Sequence, residues 1–299
     1  MDSQNAILKE NLRTRIVEGL REACDLKFSD FDDVQFRLSV LRDTPQMCKI
    51  NVMCAAWTAF GSQGSQALLE SLFPGMLTDA DEGYHVALEF DIEALTDPNE
   101  FLEQVSDLKK WIFGGPIKRA FNALVAKKVT DTALKRFDIR ADETIFVCPK
   151  QDRVVIIIYL SFVDATDKAL SKVFLQEFAE CKRAVSGVSV PNVSYSKEAP
   201  TELAGQSFNN VSESSGFILF QFEEKALTGT NSDAALQLLT GFRSYLLYHI
   251  KASKTYLHMR MRKRVAGWLQ VLNRAKPASK IETKEKKGIT GKRLTSGHR

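Results

Sequence analysis

Apolar positions in this chain recur at two periods, close to four residues and two, and the alternation between them maps the elements. Ile7, Leu8, Leu12, Ile16 and Leu20 share one face of a helix expected over Ser3–Cys24. Val34, Phe36, Leu38 and Val40 alternate in a strand ending near Leu41, and the turn Arg42-Asp43-Thr44-Pro45 leads into a second strand, Cys48–Ala55. That order predicts a hairpin. A helix over Ser65–Phe73 stops at Pro74-Gly75, and a strand over His85–Ile92 points Val86, Leu88, Phe90 and Ile92 inward. A longer helical region covers Asn99–Lys128, with a break expected at Gly114-Gly115-Pro116.

The second half repeats this order with a strand Glu143–Cys148, a turn, a strand Arg153–Val163, a helix Asp167–Arg183, a strand Phe217–Phe222 and a last helix. The fold class predicted is α+β, with two tandem, similar α/β domains built on antiparallel sheets, plus a long C-terminal helix. The boundaries expected are 1–128 and 129–231 for the domains, 232–276 for the helix and 277–299 for a basic, flexible tail. The Ser/Asn/Pro/Gly-rich stretch 184–215 reads as a long surface loop.

The last helix is the most unusual stretch. Ser232 or Asp233 supplies a cap, and no proline interrupts before Pro277. Roughly 65 Å of helix at 1.5 Å per residue exceeds what one core covers. On a wheel with Leu236 at zero, Leu238, Leu239, Phe242, Tyr245, Leu246, Ile250, Tyr256 and Leu257 fall at roughly 180–320°. Beyond His258 the apolar set is Met261, Val265, Trp268, Leu269 and Leu272, at roughly 320–60°, so the stripe is expected to rotate by about 100°. Arg260, Lys263, Arg264 and Arg274 occupy roughly 180–280° instead. The helix is thus read as facing two neighbours.

Charge sharpens that reading. The formal net charge is only +4, but 234–299 carries sixteen Lys/Arg against two Asp/Glu, leaving twenty-five against thirty-five for 1–233. Between Ala234 and Ile281 there are ten Lys/Arg and no acid, which forgoes the i,i+4 ion pairs of a merely solvated helix. An acidic macromolecule is the expected counterpart. Composition, 44% hydrophobic and 26% charged, fits a soluble globular chain able to bury a core. The N-terminus lacks an apolar signal core, and the longest apolar run, Val154–Leu160, falls far short of the roughly 20 residues of a transmembrane span. Five cysteines without a C-x-x-C pair read as reduced, cytosolic thiols.

Catalytic patterns are missing. There is no G-x-G-x-x-G, and Gly288-Ile289-Thr290-Gly291-Lys292 lacks the spacing and following Ser/Thr of a phosphate loop. His249 and His258, nine apart, point to opposite sides of a helix and cannot share a metal. Neither an enzyme, a metal nor a cofactor is expected. A basic helix interleaved with Tyr245, Tyr248, Tyr256 and Trp268 leaves two alternatives, a nucleic-acid binder and an adaptor for anionic membranes.

The residues also carry a resemblance. FRSYLLYHIKASKTYLHMRMRK (242–263), WLQVLNRAKP (268–277) and ITGK (289–292) closely resemble the C-terminal helix and tail of the 34-kDa subunit family, subunit 2, of the actin-related protein 2/3 complex. FSDFDDV, EGYHVALEFDIEAL, ADETIFV, KQDRVVIIIYLSFVDATD and KVFLQEFAECKRA resemble its landmarks in order over nearly the whole chain. The resemblance implies a non-catalytic scaffold in the cytoplasm and the cytoskeleton of actin-rich projections. Its long helix would pack antiparallel on that of subunit 4, in a core that holds two actin-related proteins and binds the side of an existing actin filament to support branching. By resemblance the subunit interface falls to Leu257, Met261, Val265, Trp268 and Leu272, and the filament contact to Arg260, Lys263, Arg264, Arg274, Lys276, Lys286, Lys287 and Lys292. No nucleic acid and no transmembrane segment enter that picture.

Overall fold

The structure is a computed structural model that describes residues 4–30, 34–140, 142–184, 191–208 and 214–275. Its first sheet holds β1 (Cys24–Ser29), β2 (Gln35–Val40), β3 (Met47–Met53), β4 (Leu77–Thr78) and β5 (Val86–Asp91), in the order β1-β2-β3-β5-β4. The second holds β6 (Lys135–Arg140), β7 (Glu143–Pro149), β8 (Arg153–Ser161), β9 (Asn192–Ser196) and β10 (Ser214–Glu223), in the order β6-β7-β8-β10-β9. All pairings are antiparallel. Each sheet is a three-stranded meander whose fifth strand returns beside the third, leaving the fourth at the edge. The α+β class follows.

Helices separate these strands: α1 (Ala6–Ile16), α2 (Trp57–Phe60), α3 (Gln66–Leu72), α4 (Pro98–Ser106), α5 (Leu108–Val125), α6 (Ala165–Ala184) and α7 (Asn231–Ala275). Contacts divide the chain into a body, 1–251, and a second unit, 252–299. Both sheets belong to the body and share its core, where Phe60 stacks on Phe137 at 4.7 Å between centroids and Phe121 meets Phe222 at 4.9 Å. Sheet faces differ between the halves. In β2 only Phe36, Leu38 and Val40 are buried, whereas β7 is buried along its length and β8 throughout except at its ends. The second sheet owes its extra cover to Leu203 and Phe208, which pack with Leu134 on Phe146, Tyr159 and Phe217.

Several expectations need correcting. The first helix stops at Ile16, not Cys24; Gly19 turns with φ of 75° and Cys24 opens a strand, leaving Leu20 38% exposed. The stretch read as a loop over 184–215 contains β9, paired to β10 through Phe217↔Ser196 to Gln221↔Asn192. The short strands β1, β4 and β6 went unread.

The break expected at Gly114-Gly115-Pro116 lies at Asp107 instead, and all three residues sit inside α5. The physical reason is close packing. A Cβ on Gly114 would stand 2.7 Å from Leu236, and one on Gly115 would collide with the backbone of Ser65. Pro116 has no N–H for the carbonyl of Ile112 four residues back, and its ring pushes that carbonyl off the ladder. The hydroxyl of Ser65, fully buried, donates to the Ile112 oxygen at 2.6 Å in its place.

Candidate functional site

α7 is 45 residues long and begins in a socket built by the body. The Lys118 ammonium donates to Ser232 Oγ at 3.2 Å and pairs with Asp233 at 2.5 Å, a cation bridging two side chains of the first turn. Leu236 fills the notch at Gly114, and Leu239, Phe242, Leu246 and Ile250 follow it into the core at helical spacing. Phe242 meets Phe220 at 5.4 Å and Phe178 at 5.6 Å. Arg243 reaches Asp142 at 2.7 Å and Glu143 at 3.6 Å, while Arg140 holds Glu143 from the other side at 3.1 Å. His249 stacks on Phe174 at 5.3 Å, an aromatic contact rather than a ligand position.

The buried row, Leu236 to Ile250, spans roughly 240–360° on the wheel, because Leu238 and Tyr245 are only half-buried and Tyr256 is exposed. The rotation to the second stripe is therefore about 70°, smaller than the expected value. The reason is that periodicity could not tell a leucine in the core from a tyrosine at its margin.

From Thr255 to Arg274 every residue is exposed. The five positions assigned to a subunit interface lie together on one face: Leu257 at 42%, Met261 at 61%, Val265 at 57%, Trp268 at 74% and Leu272 at 59% exposure. Met261, Val265, Trp268 and Leu272 step by 4, 3 and 4 residues, the seam of a helix that pairs with another helix. Arg260, Lys263, Arg264 and Arg274 lie together on a second sector, all exposed. Arg260 sits over the Tyr256 ring at 5.6 Å. Lys276, Lys286, Lys287 and Lys292 lie outside the described residues. Sequence reading left out Met259 and Val271, 59% and 64% exposed, the first outside both expected sectors and the second among the basic residues; exposure alone identifies them.

Elsewhere the described residues give little chemistry. Among them no group of three or more His, Cys, Asp or Glu could hold a metal, and no helix is long and apolar enough to cross a membrane. Cys24, Cys48, Cys54 and Cys148 are free thiols. Burial pushes the Cys48 thiol up to about 11 and Cys148 to about 12, so neither is a ready nucleophile. The strongest polar cluster of the first sheet is Asp81, which accepts from Lys49 at 2.7 Å and from Arg37 and Asn51 at 3.0 Å each. The Asp81 N–H in turn donates to Asn51 Oδ1 at 2.9 Å, tying the 79–84 turn to the sheet.

Fold and helix together define a class: an α+β body carrying a long helix, free of acid beyond Asp233, whose last turns present apolar side chains to solvent, the build of a protein that engages other macromolecules. The family described as Arp2/3 complex, 34 kD subunit p34-Arc, matches residues 50–279. A Dictyostelium discoideum protein named actin-related protein 2/3 complex subunit 2 is 34% identical over 295 residues, covering 98% of this chain and 97% of the relative. A Schizosaccharomyces pombe protein of the same name is 30% identical over 309 residues, covering 96% and 97%. The chain belongs to the 34-kDa subunit (p34-Arc) family of the Arp2/3 complex.

Proposed function

We propose that this chain is a scaffold subunit of an actin-related protein 2/3 complex in the cytoplasmic actin cytoskeleton. It pairs through Leu257, Met261, Val265, Trp268 and Leu272 with a helix of subunit 4, and meets the side of an actin filament through Arg260, Lys263, Arg264 and Arg274. The observation that carries this is the row of five apolar side chains, 42–74% exposed, on a stretch of helix with no acid after Asp233, in a member of this family. Exposed apolar rows of this length mark an interaction surface. The parts proposed are 1–128, 129–231, 232–276 and 277–299, with Lys276, Lys286, Lys287 and Lys292 of the tail adding to the filament contact. The work done is positional: apolar and electrostatic contacts lower the free energy of a nucleus, and no bond is made or broken.

Trp268→Ala with Leu272→Ala tests the pairing. Losing two side chains from a covered interface costs about 4–8 kcal/mol, enough to release the chain. The expected result is a soluble chain with wild-type circular dichroism that no longer co-elutes with the other subunits on gel filtration. Incorporation at the wild-type level would refute the assignment, and partners lost on nuclease treatment would favour nucleic acid instead.

A further inference from the structure

Segment 254–274 is apolar on more than one side. Leu257, Met261, Val265, Trp268 and Leu272 lie between roughly 300° and 20° on the wheel, but Met259, Tyr256 and Val271 lie at roughly 140°, 200° and 260°. These three are as exposed as the others, at 59%, 55% and 64%. The basic residues are spread equally widely, from Lys254 near 0° through Arg262 at roughly 80° to Lys263 at roughly 180° and Arg260 at roughly 240°. Six cations and no anion occupy the segment.

This distribution selects among acidic occupants. A membrane surface covers one side of a helix and requires a single apolar face opposite a polar one. Here a flat surface would leave either Trp268 or Met259 in water. An acidic groove that wraps the whole circumference covers both, and methionine-rich walls adapt to mixed anchors. Tyr256 and Leu269, like Met259 and Leu272, stand thirteen positions apart, roughly 20 Å along the axis, so that two lobes can each enclose one end.

We propose that, in the unassembled chain, 254–274 is a target for the acidic, methionine-rich groove of a calcium-loaded EF-hand protein. This goes beyond the scaffold role, because it concerns the chain outside its complex; enclosure by the groove and pairing with a subunit exclude one another. Charge complementarity and the two-sided anchors carry it.

The probe is calcium-loaded calmodulin, added to the purified full chain and, separately, to the assembled complex. Trp111 is buried and Trp57 half-buried, so the emission change reports on Trp268. The expected result is a blue shift with the free chain that a calcium chelator reverses, and no binding by the complex. By calorimetry, Trp268→Ala should weaken binding about thirtyfold or more, and Met259→Ala with Val271→Ala about tenfold. The second variant matters most, because a one-sided mode would not feel it. No calcium-dependent binding, wild-type affinity in the Met259/Val271 variant, equal binding by the complex, or partition onto phosphatidylserine vesicles without calmodulin binding would each overturn the proposal. Gel filtration of the wild-type chain with its partner subunits scores the scaffold role independently.

Discussion

The bond from Ser65 to the Ile112 carbonyl gives a quantitative test of how the body is assembled. In an ordinary helix that carbonyl would accept from the N–H of residue 116, but residue 116 is proline and has none. Ser65→Ala removes the hydroxyl that takes its place, a 2.6 Å bond at a site with no solvent exposure. A buried acceptor left without a partner costs about 1–3 kcal/mol, so we expect about 2 kcal/mol. Pro116→Ala supplies an N–H four residues along, and in that background Ser65→Ala should cost about 1 kcal/mol or less. The coupling between the two changes is then about 1 kcal/mol, within the range seen for residues sharing one bond. The assay is urea unfolding of all four proteins of the cycle by circular dichroism. With a slope near 3 kcal/mol per molar, the single Ser65→Ala change lowers the midpoint by about 0.7 M. Equal costs of Ser65→Ala in the wild-type and Pro116→Ala backgrounds would show that Ser65 does not stand in for the missing amide.

The paired glycines should separate by what they face. Gly115→Ala meets the backbone of Ser65 and should destabilise by about 3 kcal/mol, whereas Gly114→Ala meets the movable end of Leu236 and should cost about 1 kcal/mol after the helix-propensity gain; equal midpoints in urea would refute the packing account. Asp81 supplies a pH dependence. The Lys49 ammonium, aided by Arg37 and Asn51, holds its carboxyl below the usual carboxylate value, so its contribution is present above the unfolded pKa of about 4 and fades as pH falls through the lower folded value. Asp81→Asn should therefore flatten the acid limb of a stability–pH curve, and an unchanged limb would count against the cluster.

Much of the fold was legible because its strands either alternate, as β2 does, or run apolar throughout, as β8 does, and the helices between them begin at conventional caps. Asp97 caps α4 from in front of Pro98, accepting from the Asn99 and Glu100 amides, and Asp164 accepts from Thr166 and Asp167 at the start of α6. What escaped were elements whose reason lies elsewhere in the chain. β9 carries the polar sequence Asn-Val-Ser-Tyr-Ser and is a strand only because β10 offers it an edge. Gly114-Gly115-Pro116 looked like a helix stop because glycine and proline stop isolated helices. Here Leu236 and Ser65 occupy the space the glycines leave and satisfy the carbonyl the proline strands, so tertiary packing overrode propensity.

Residues 255–274 stood out in the sequence by pattern and charge, and since nothing in the described structure covers them their pattern need not serve a core. The wheel nevertheless refines which charge to test. Arg264 lies at roughly 280°, only about 20° from Leu257, and so sits at the rim of the apolar row; reversing it disturbs both proposed contacts at once. Lys263 lies at roughly 180°, opposite Leu272. Lys263→Glu alone is therefore the cleaner perturbation: assembly should be intact while co-sedimentation with actin filaments weakens. The loss should be larger at about 0.05 M salt than at 0.15 M, where the screening length shortens from roughly 14 to 8 Å. Unchanged sedimentation at every salt concentration would make Lys263 a solvated charge, and loss of assembly would put the partner helix on the basic sector instead of on the row from Leu257 to Leu272.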